Sequence, residues 1–117
     1  MTYPHLLCLS QHSTMRREYL QFVESLSCEV KVCSTIEEAL VQCVVSLPNI
    51  LILDDSFSVY EVSVLVRVFQ EKKDWQTVSM FVVGNVEKHL FPKETVFVQS
   101  IHELVNSLKD VFDTLYS

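Results

Sequence analysis

Pro48 to Phe57 reads P-N-I-L-I-L-D-D-S-F. Four apolar residues, Ile50 to Leu53, run without a break into two carboxylates, Asp54 and Asp55. A short, uninterrupted apolar run suits a strand whose sheet is covered on both faces. Acids at the carboxyl end of such a strand fall where open α/β sheets build their sites.

On the N-terminal side, Leu6 to Leu9 (L-L-C-L) is another continuous apolar run, read as strand one. After the polar break Ser10 to Thr14, Met15, Tyr19, Phe22, Val23 and Leu26 recur at helical spacing and predict a helix from about Ser13 to Leu26. Glu29 to Cys33 (E-V-K-V-C) alternates polar and apolar, the mark of an edge strand with one wet face. Thr35 and Glu38 form a T-x-x-E capping box ahead of a stripe of Ile36, Leu40, Cys43, Val44 and Leu47, and Pro48 stops that second helix.

On the C-terminal side, Val62, Leu65, Val66 and Phe69 give helix three its stripe, E-K-K-D (Glu71 to Asp74) is its polar exit, and Trp75 is expected to cover the domain edge. Val78 to Val83 is strand four, closed by Gly84. Residues 85–94, N-V-E-K-H-L-F-P-K-E, are too few and too broken by Pro92 for a full connecting helix. Thr95 to Val98 is strand five. Ser100 and Glu103 form a second capping box, ahead of a last helix carrying Ile101, Leu104, Val105, Leu108, Phe112 and Leu115.

Strands that alternate with helices make a parallel sheet covered on both faces, and right-handed crossovers restrict its topology. Strands one, three and four are continuously apolar and therefore central; strands two and five are amphipathic and therefore edges. The expected architecture is α/β: a flavodoxin-like (CheY-like) doubly wound sheet of five parallel strands in the order 2-1-3-4-5, with the fourth helix shortened or missing. The 117 residues are read as one domain, 1–117.

The bulk numbers narrow the function. Hydrophobic residues make up 49% of the chain, enough for a packed core, and no apolar run reaches the length of a membrane span. The formal charge of -6 disfavours direct contact with nucleic acid and suits protein partners. A single glycine excludes a Gly-rich phosphate loop, and no cofactor is expected. Cys8, Cys28, Cys33 and Cys43 make no C-x-x-C pair and read as reduced thiols. The start, M-T-Y-P-H, has no basic n-region, so a cytoplasmic location is expected.

The strand order delivers Ser10, Gln11 and His12, then Asp54 and Asp55, then Gly84 and Asn85, then Gln99 and Ser100 to one edge of the sheet. Here P-N-I-L-I-L-D resembles the strand-three signature of response-regulator receiver domains, the signalling modules of two-component systems. That resemblance places Asp54 at the phosphoacceptor position. It also implies two Mg²⁺-binding acids after strand one, a Thr or Ser after strand four and a Lys after strand five. This chain has Ser10 and Gln11, Gly84, and Gln99 there instead. Ser and Gln supply no charge for Mg²⁺, and nothing stands ready to neutralise a transferring phosphoryl group.

The chain is therefore similar to a degenerate receiver, a pseudo-receiver. It resembles the N-terminal pseudo-receiver of the cyanobacterial circadian clock protein KaiA in S-T (Ser13, Thr14), V-C (Val32, Cys33), I-L-I-L, and V-V-G (Val82 to Gly84). The resemblance implies a non-catalytic, phosphorylation-independent module acting by protein–protein interaction, as the input domain of a clock-type or transcription regulator. Asp54 and Asp55 would then be solvated strand-end acids, or caps of helix three. By the same resemblance the partner or dimer face lies in residues 85–115, with His102 on the last helix. His89, Leu90 and Phe91 either form a docking patch or cover the sheet where the missing helix would lie.

Three other chemistries fit local features. Cys8 to Thr14, C-L-S-Q-H-S-T, is similar to the C-x-x-G-x-S-T loop of phosphotransferase-system IIB proteins, where a cysteine thiolate carries phosphate. A receiver still phosphorylated on Asp54 is the second. A zinc site from His12, Asp54 and Asp55 is the third, against an expectation of no metal.

Overall fold

In the computed structural model, which describes residues 3–23 and 25–115, strands and helices alternate along the chain. They are β1 (His5–Leu9), α1 (Ser13–Val23), β2 (Glu29–Cys33), α2 (Ile36–Val45), β3 (Ile50–Asp54), α3 (Val59–Glu71), β4 (Ser79–Val83), β5 (Val96–Val98) and α4 (Ile101–Leu115). Two 3-10 turns, Lys73–Thr77 and Lys88–Leu90, lie before β4 and between β4 and β5. The strands form one parallel sheet in the order β2-β1-β3-β4-β5. This is the expected CheY-like α/β architecture, with no α-helix between β4 and β5.

Side chains that alternate along each strand divide the core in two. Leu7, Leu9, Leu51, Leu53, Met80 and Val82 face α2 and α3, where they meet Ile36, Ala39, Cys43, Val62, Leu65, Val66 and Phe69. Leu6, Cys8, Ile50, Ile52, Phe81, Val83 and Val98 face α1 and α4, against Tyr19, Leu104, Leu108 and Phe112. Every residue of β3 is buried, which is why its sequence is apolar without alternation. β2 alternates exposed and half-buried positions at the sheet edge until Cys33.

Helix ends follow their caps. Thr35 Oγ1 accepts from Glu38 N–H at 3.1 Å, while the Glu38 carboxylate takes the Ser34 hydroxyl at 2.9 Å, a variant of the expected box. At α4, Ser100 Oγ accepts from Glu103 N–H, and Glu103 reaches back to Gln99 N–H at 3.1 Å. α1 stops at Val23, short of Leu26, because the chain turns there: Ser25 N–H and Oγ–H both donate to Phe22 O. The side chain of Val23 lies outside the described residues.

Three apolar assignments are corrected. α2 is turned so that fully buried Ala39 lies against the sheet between Ile36 and Cys43; this rotates Val44 outward to 72% exposure. Leu47 is half-buried beyond the end of α2 rather than on its stripe. Leu115, in the last turn of α4, lies past the end of the core and is exposed. Trp75 is buried in its 3-10 turn, with its ring centroid 5.0 Å from that of Phe69.

Candidate functional site at the carboxyl edge of the sheet

Parallel register brings the strand ends together. Leu9 pairs with Cys33 on one side and Leu53 on the other, Asp54 pairs with Val83, and Val83 pairs with Val98. Ser10, Asp54, Gly84 and Gln99 therefore succeed one another across the carboxyl edge.

Asp54 is not a solvated acid; it is 2% exposed. Its Oδ2 accepts the Ser10 hydroxyl at 2.5 Å, and its Oδ1 accepts the Ser56 hydroxyl at 2.5 Å and the Ser56 N–H at 3.2 Å. Both hydroxyls are themselves held. Ser10 Oγ accepts from His12 N–H at 3.0 Å, and Ser56 Oγ accepts from Gln11 N–H at 2.9 Å. A buried carboxylate is tolerated only when its oxygens are hydrogen-bonded, and this network satisfies both. Neither Asp54 nor Asp55 caps α3. That role belongs to Ser58 and Glu61, which form a reciprocal capping box, and the second oxygen of Glu61 accepts the Gln11 amide at 3.4 Å.

Asp55 points the other way and is exposed. Its Oδ2 accepts Asn85 N–H at 3.1 Å, tying the β3–α3 loop to the end of β4. Gly84 sits between them with φ +103, and a Cβ there would collide with the Asp55 carboxylate. The single glycine of the chain is thus required by its backbone angle and by Asp55 together. Gly84 N–H also donates to Val98 O at 2.8 Å, which closes the β4–β5 pairing at its carboxyl end. Gln99 is exposed, with its N–H committed to Glu103.

Ser56, Glu61 and Arg16 escaped the sequence reading. Arg16 Nη1 donates to Ser10 O at 2.8 Å, bringing a guanidinium to the β1–α1 loop. No short motif marks these contacts, since each joins a strand end to a separate loop or helix. Beneath Asp54, Tyr19 is fully buried, with its hydroxyl unpartnered among the described residues. Burial first, then the charge of Asp54, pushes the phenol upward.

The donor set does not fit Mg²⁺. Ser10 and Gln11 are neutral, both Asp54 oxygens already accept hydrogen bonds in a buried setting, and Asp55 is turned to Asn85. His12, Asp54 and Asp55 do not converge either, and among the described residues no group of three His, Cys, Asp or Glu could hold a metal ion. Cys8 lies inside β1, fully buried, and burial pushes its thiol well up. A phosphate-carrying cysteine needs the opposite: exposure and a lowered pKa.

In the segment between β4 and β5, Phe91 is 8% exposed and meets Phe97 edge-on at 5.6 Å, while half-buried Leu90 packs on the α3 side of the core. Phe91 covers the sheet and is no exposed docking residue; Leu90 packs beside it and keeps part of its surface open. His89 and His102 remain exposed. The large exposed apolar side chains lie elsewhere, among them Val41, Val44 and Val45 on α2 and Val59 and Tyr60 at the start of α3.

No family model matches the chain, and no curated protein matches its sequence. Solved structures do match. A proposed response regulator from Chloroflexus aurantiacus superposes with a TM-score of 0.77 at 18% identity, over 96% of this chain and 99% of that one. The chemotaxis response regulator CheY4 of Vibrio cholerae gives 0.76 at 13% identity, over 94% and 99%. The signal receiver domain of a histidine kinase from Syntrophus aciditrophicus gives 0.75 at 12%, over 97% and 92%. The chain therefore has the receiver, or CheY-like, fold. No helix among the described residues is long and apolar enough to cross a membrane.

Proposed function

We propose that this chain is a non-catalytic, phosphorylation-independent receiver-like signalling module that acts through protein contacts. The observation that carries this reading is the state of Asp54. A phosphoacceptor must present a free oxygen lone pair in line with an incoming phosphorus atom. Here the carboxylate is buried, with one oxygen bonded to Ser10 and the other to Ser56. The neutral residues Ser10, Gln11, Gly84 and Gln99 stand where metal and lysine would be needed, so neither is there to compensate the charge developing in transfer.

Signal then passes through a surface. The face built by β5 and α4, with exposed His102, is the proposed contact for a protein partner or a second copy. The net charge of -6 supports a protein partner over a nucleic acid. The finer kinship with the KaiA pseudo-receiver rests on its short matches and on the absence of an α-helix between β4 and β5. It extends the proposal to an input domain of a larger regulator.

Incubation with acetyl phosphate or beryllofluoride and Mg²⁺, followed by intact-mass and NMR measurement, tests the reading. No adduct and no Mg²⁺-dependent shift at Asp54 is the expected result; a phosphoryl group on Asp54 overturns it.

A further inference from the structure

A parallel crossover normally carries a helix of its own, which covers one face of the two strands it joins. Between β4 and β5 that cover is a single 3-10 turn. Leu90 and Phe91 pack on the α3 face at the carboxyl edge, beside Asp55, Phe57 and Asn85. At the opposite end a cleft of about 600 Å³ lies between the end of α3, the Lys73–Thr77 turn and the start of β5. This is the size range of small-molecule sites.

Its lining has a definite chemistry. Phe69, Trp75, Val78 and Met80 are buried side chains of the α3-side core that also border the cleft together with Pro92, and the exposed polar residues Gln70, Gln76, Thr77 and Ser79 complete its rim. Thr95 also borders it. It is 9% exposed, and its Oγ1 has no hydrogen-bond partner among the described residues. A buried hydroxyl without a partner is uncommon and costs stability. One 120° step about χ1 carries the threonine hydroxyl to a neighbouring staggered position, and so can turn Oγ1 toward a ligand. At the mouth, Glu94 is exposed and no lining residue is cationic. The Lys72 ammonium is held over the Trp75 ring at 5.2 Å and is not part of the lining.

We infer that this cleft is a binding site for an uncharged, planar aromatic or heteroaromatic small molecule carrying one hydrogen-bonding group, which Thr95 Oγ1 meets. The apolar floor edged by Phe69 and Trp75 favours a flat apolar body, the Thr95 hydroxyl within a polar rim meets its hydrogen-bonding group, and Glu94 disfavours anions. The site lies away from Asp54 and does not depend on how Asp54 behaves.

Trp75 is the only tryptophan, so its indole N–H gives a single NMR cross-peak inside the cleft. Titration of the whole chain with naphthol should shift that peak and the Thr95 amide saturably. Naphthalenesulfonate, the same ring system as an anion, should bind about fivefold or more weakly. Thr95→Val removes only the unpartnered hydroxyl. It should leave the fold intact and weaken naphthol about fivefold. Glu94→Lys, at an exposed position, should shrink the preference for naphthol over the sulfonate, and it serves as the deciding variant if Thr95→Val does not fold. The inference is overturned if millimolar naphthol produces no saturable shift at Trp75, if Thr95→Val binds as the parent does, or if Glu94→Lys leaves the discrimination unchanged.

Discussion

The Ser10 hydroxyl donates to Asp54 Oδ2 at 2.5 Å, and both residues are buried. A neutral donor from β1 thus closes over the acid at the end of β3. Replacing it uncovers what the contact does. Ser10→Ala leaves one oxygen of a buried carboxylate short of a partner, and a hydrogen bond to a charged group contributes about 1.5–3 kcal/mol. Urea unfolding at neutral pH should show a loss of that order, with an unchanged m-value. A loss below about 0.5 kcal/mol would mean that water replaces Ser10 freely and that Asp54 is more open than its burial indicates.

Gly84 and Asp55 form the second interlock. Gly84→Ala places a Cβ at φ +103 and against the Asp55 carboxylate. Both effects destabilise, by about 1–3 kcal/mol together. In a double-mutant cycle, Asp55→Ala should recover the collision part and leave the backbone part. Full additivity of the two losses would show that the residues do not meet.

Phe91 separates covering from docking. It is buried against Phe97, so Phe91→Ala should cost about 3 kcal/mol in thermal or urea unfolding. His89→Ala, at an exposed position beside Glu87, should stay within about 0.5 kcal/mol. Equal, small effects would return Phe91 to the surface.

Alkaline pH should destabilise the fold. Burial pushes the Cys43 thiol up from its ordinary 9.0 to about 11, with Cys33 adding a smaller push, and burial raises Cys8, Cys28 and Cys33 as well. The folded-state value lies above the unfolded one, so this stability is complete below about pH 9 and is lost as pH rises toward about 11. The urea midpoint should fall across that window, and Cys43→Ala should flatten the fall. An unchanged slope in that variant would show that Cys43 ionises freely in the folded state.

Thiol labelling ranks the cysteines. Cys28 is half-exposed, while Cys8, Cys33 and Cys43 are buried. A thiol reagent at neutral pH should modify Cys28 first and reach Cys8 only as fast as the protein unfolds. Rapid native labelling of Cys8 would restore the phosphocysteine alternative.

The sequence by itself determined the fold, for a physical reason. Ile50–Leu53 and Leu6–Leu9 can be apolar at every position only in strands covered on both faces, and the helical stripe of Val62, Leu65, Val66 and Phe69 can serve only one side. Strand order, edges and the absence of a full helix between β4 and β5 followed from those local patterns. Rotation within a helix did not: Ala39 and Val44 differ too little in character for the pattern to say which of them faces the sheet. The state of the site was also beyond local reading. The identities Ser10, Gln11, Gly84 and Gln99 were plain, yet Asp54 and Asp55 are adjacent and alike in sequence. Only the pleat, which turns one inward to Ser10 and Ser56 and the other outward to Asn85, decided that the first is sealed and the second exposed. Residues 85–94 were legible as too short for a helix. That Phe91 covers the sheet, while a cleft stays open beside Thr95, depends on contacts with α3 and the Trp75 turn, which come together only in the folded chain.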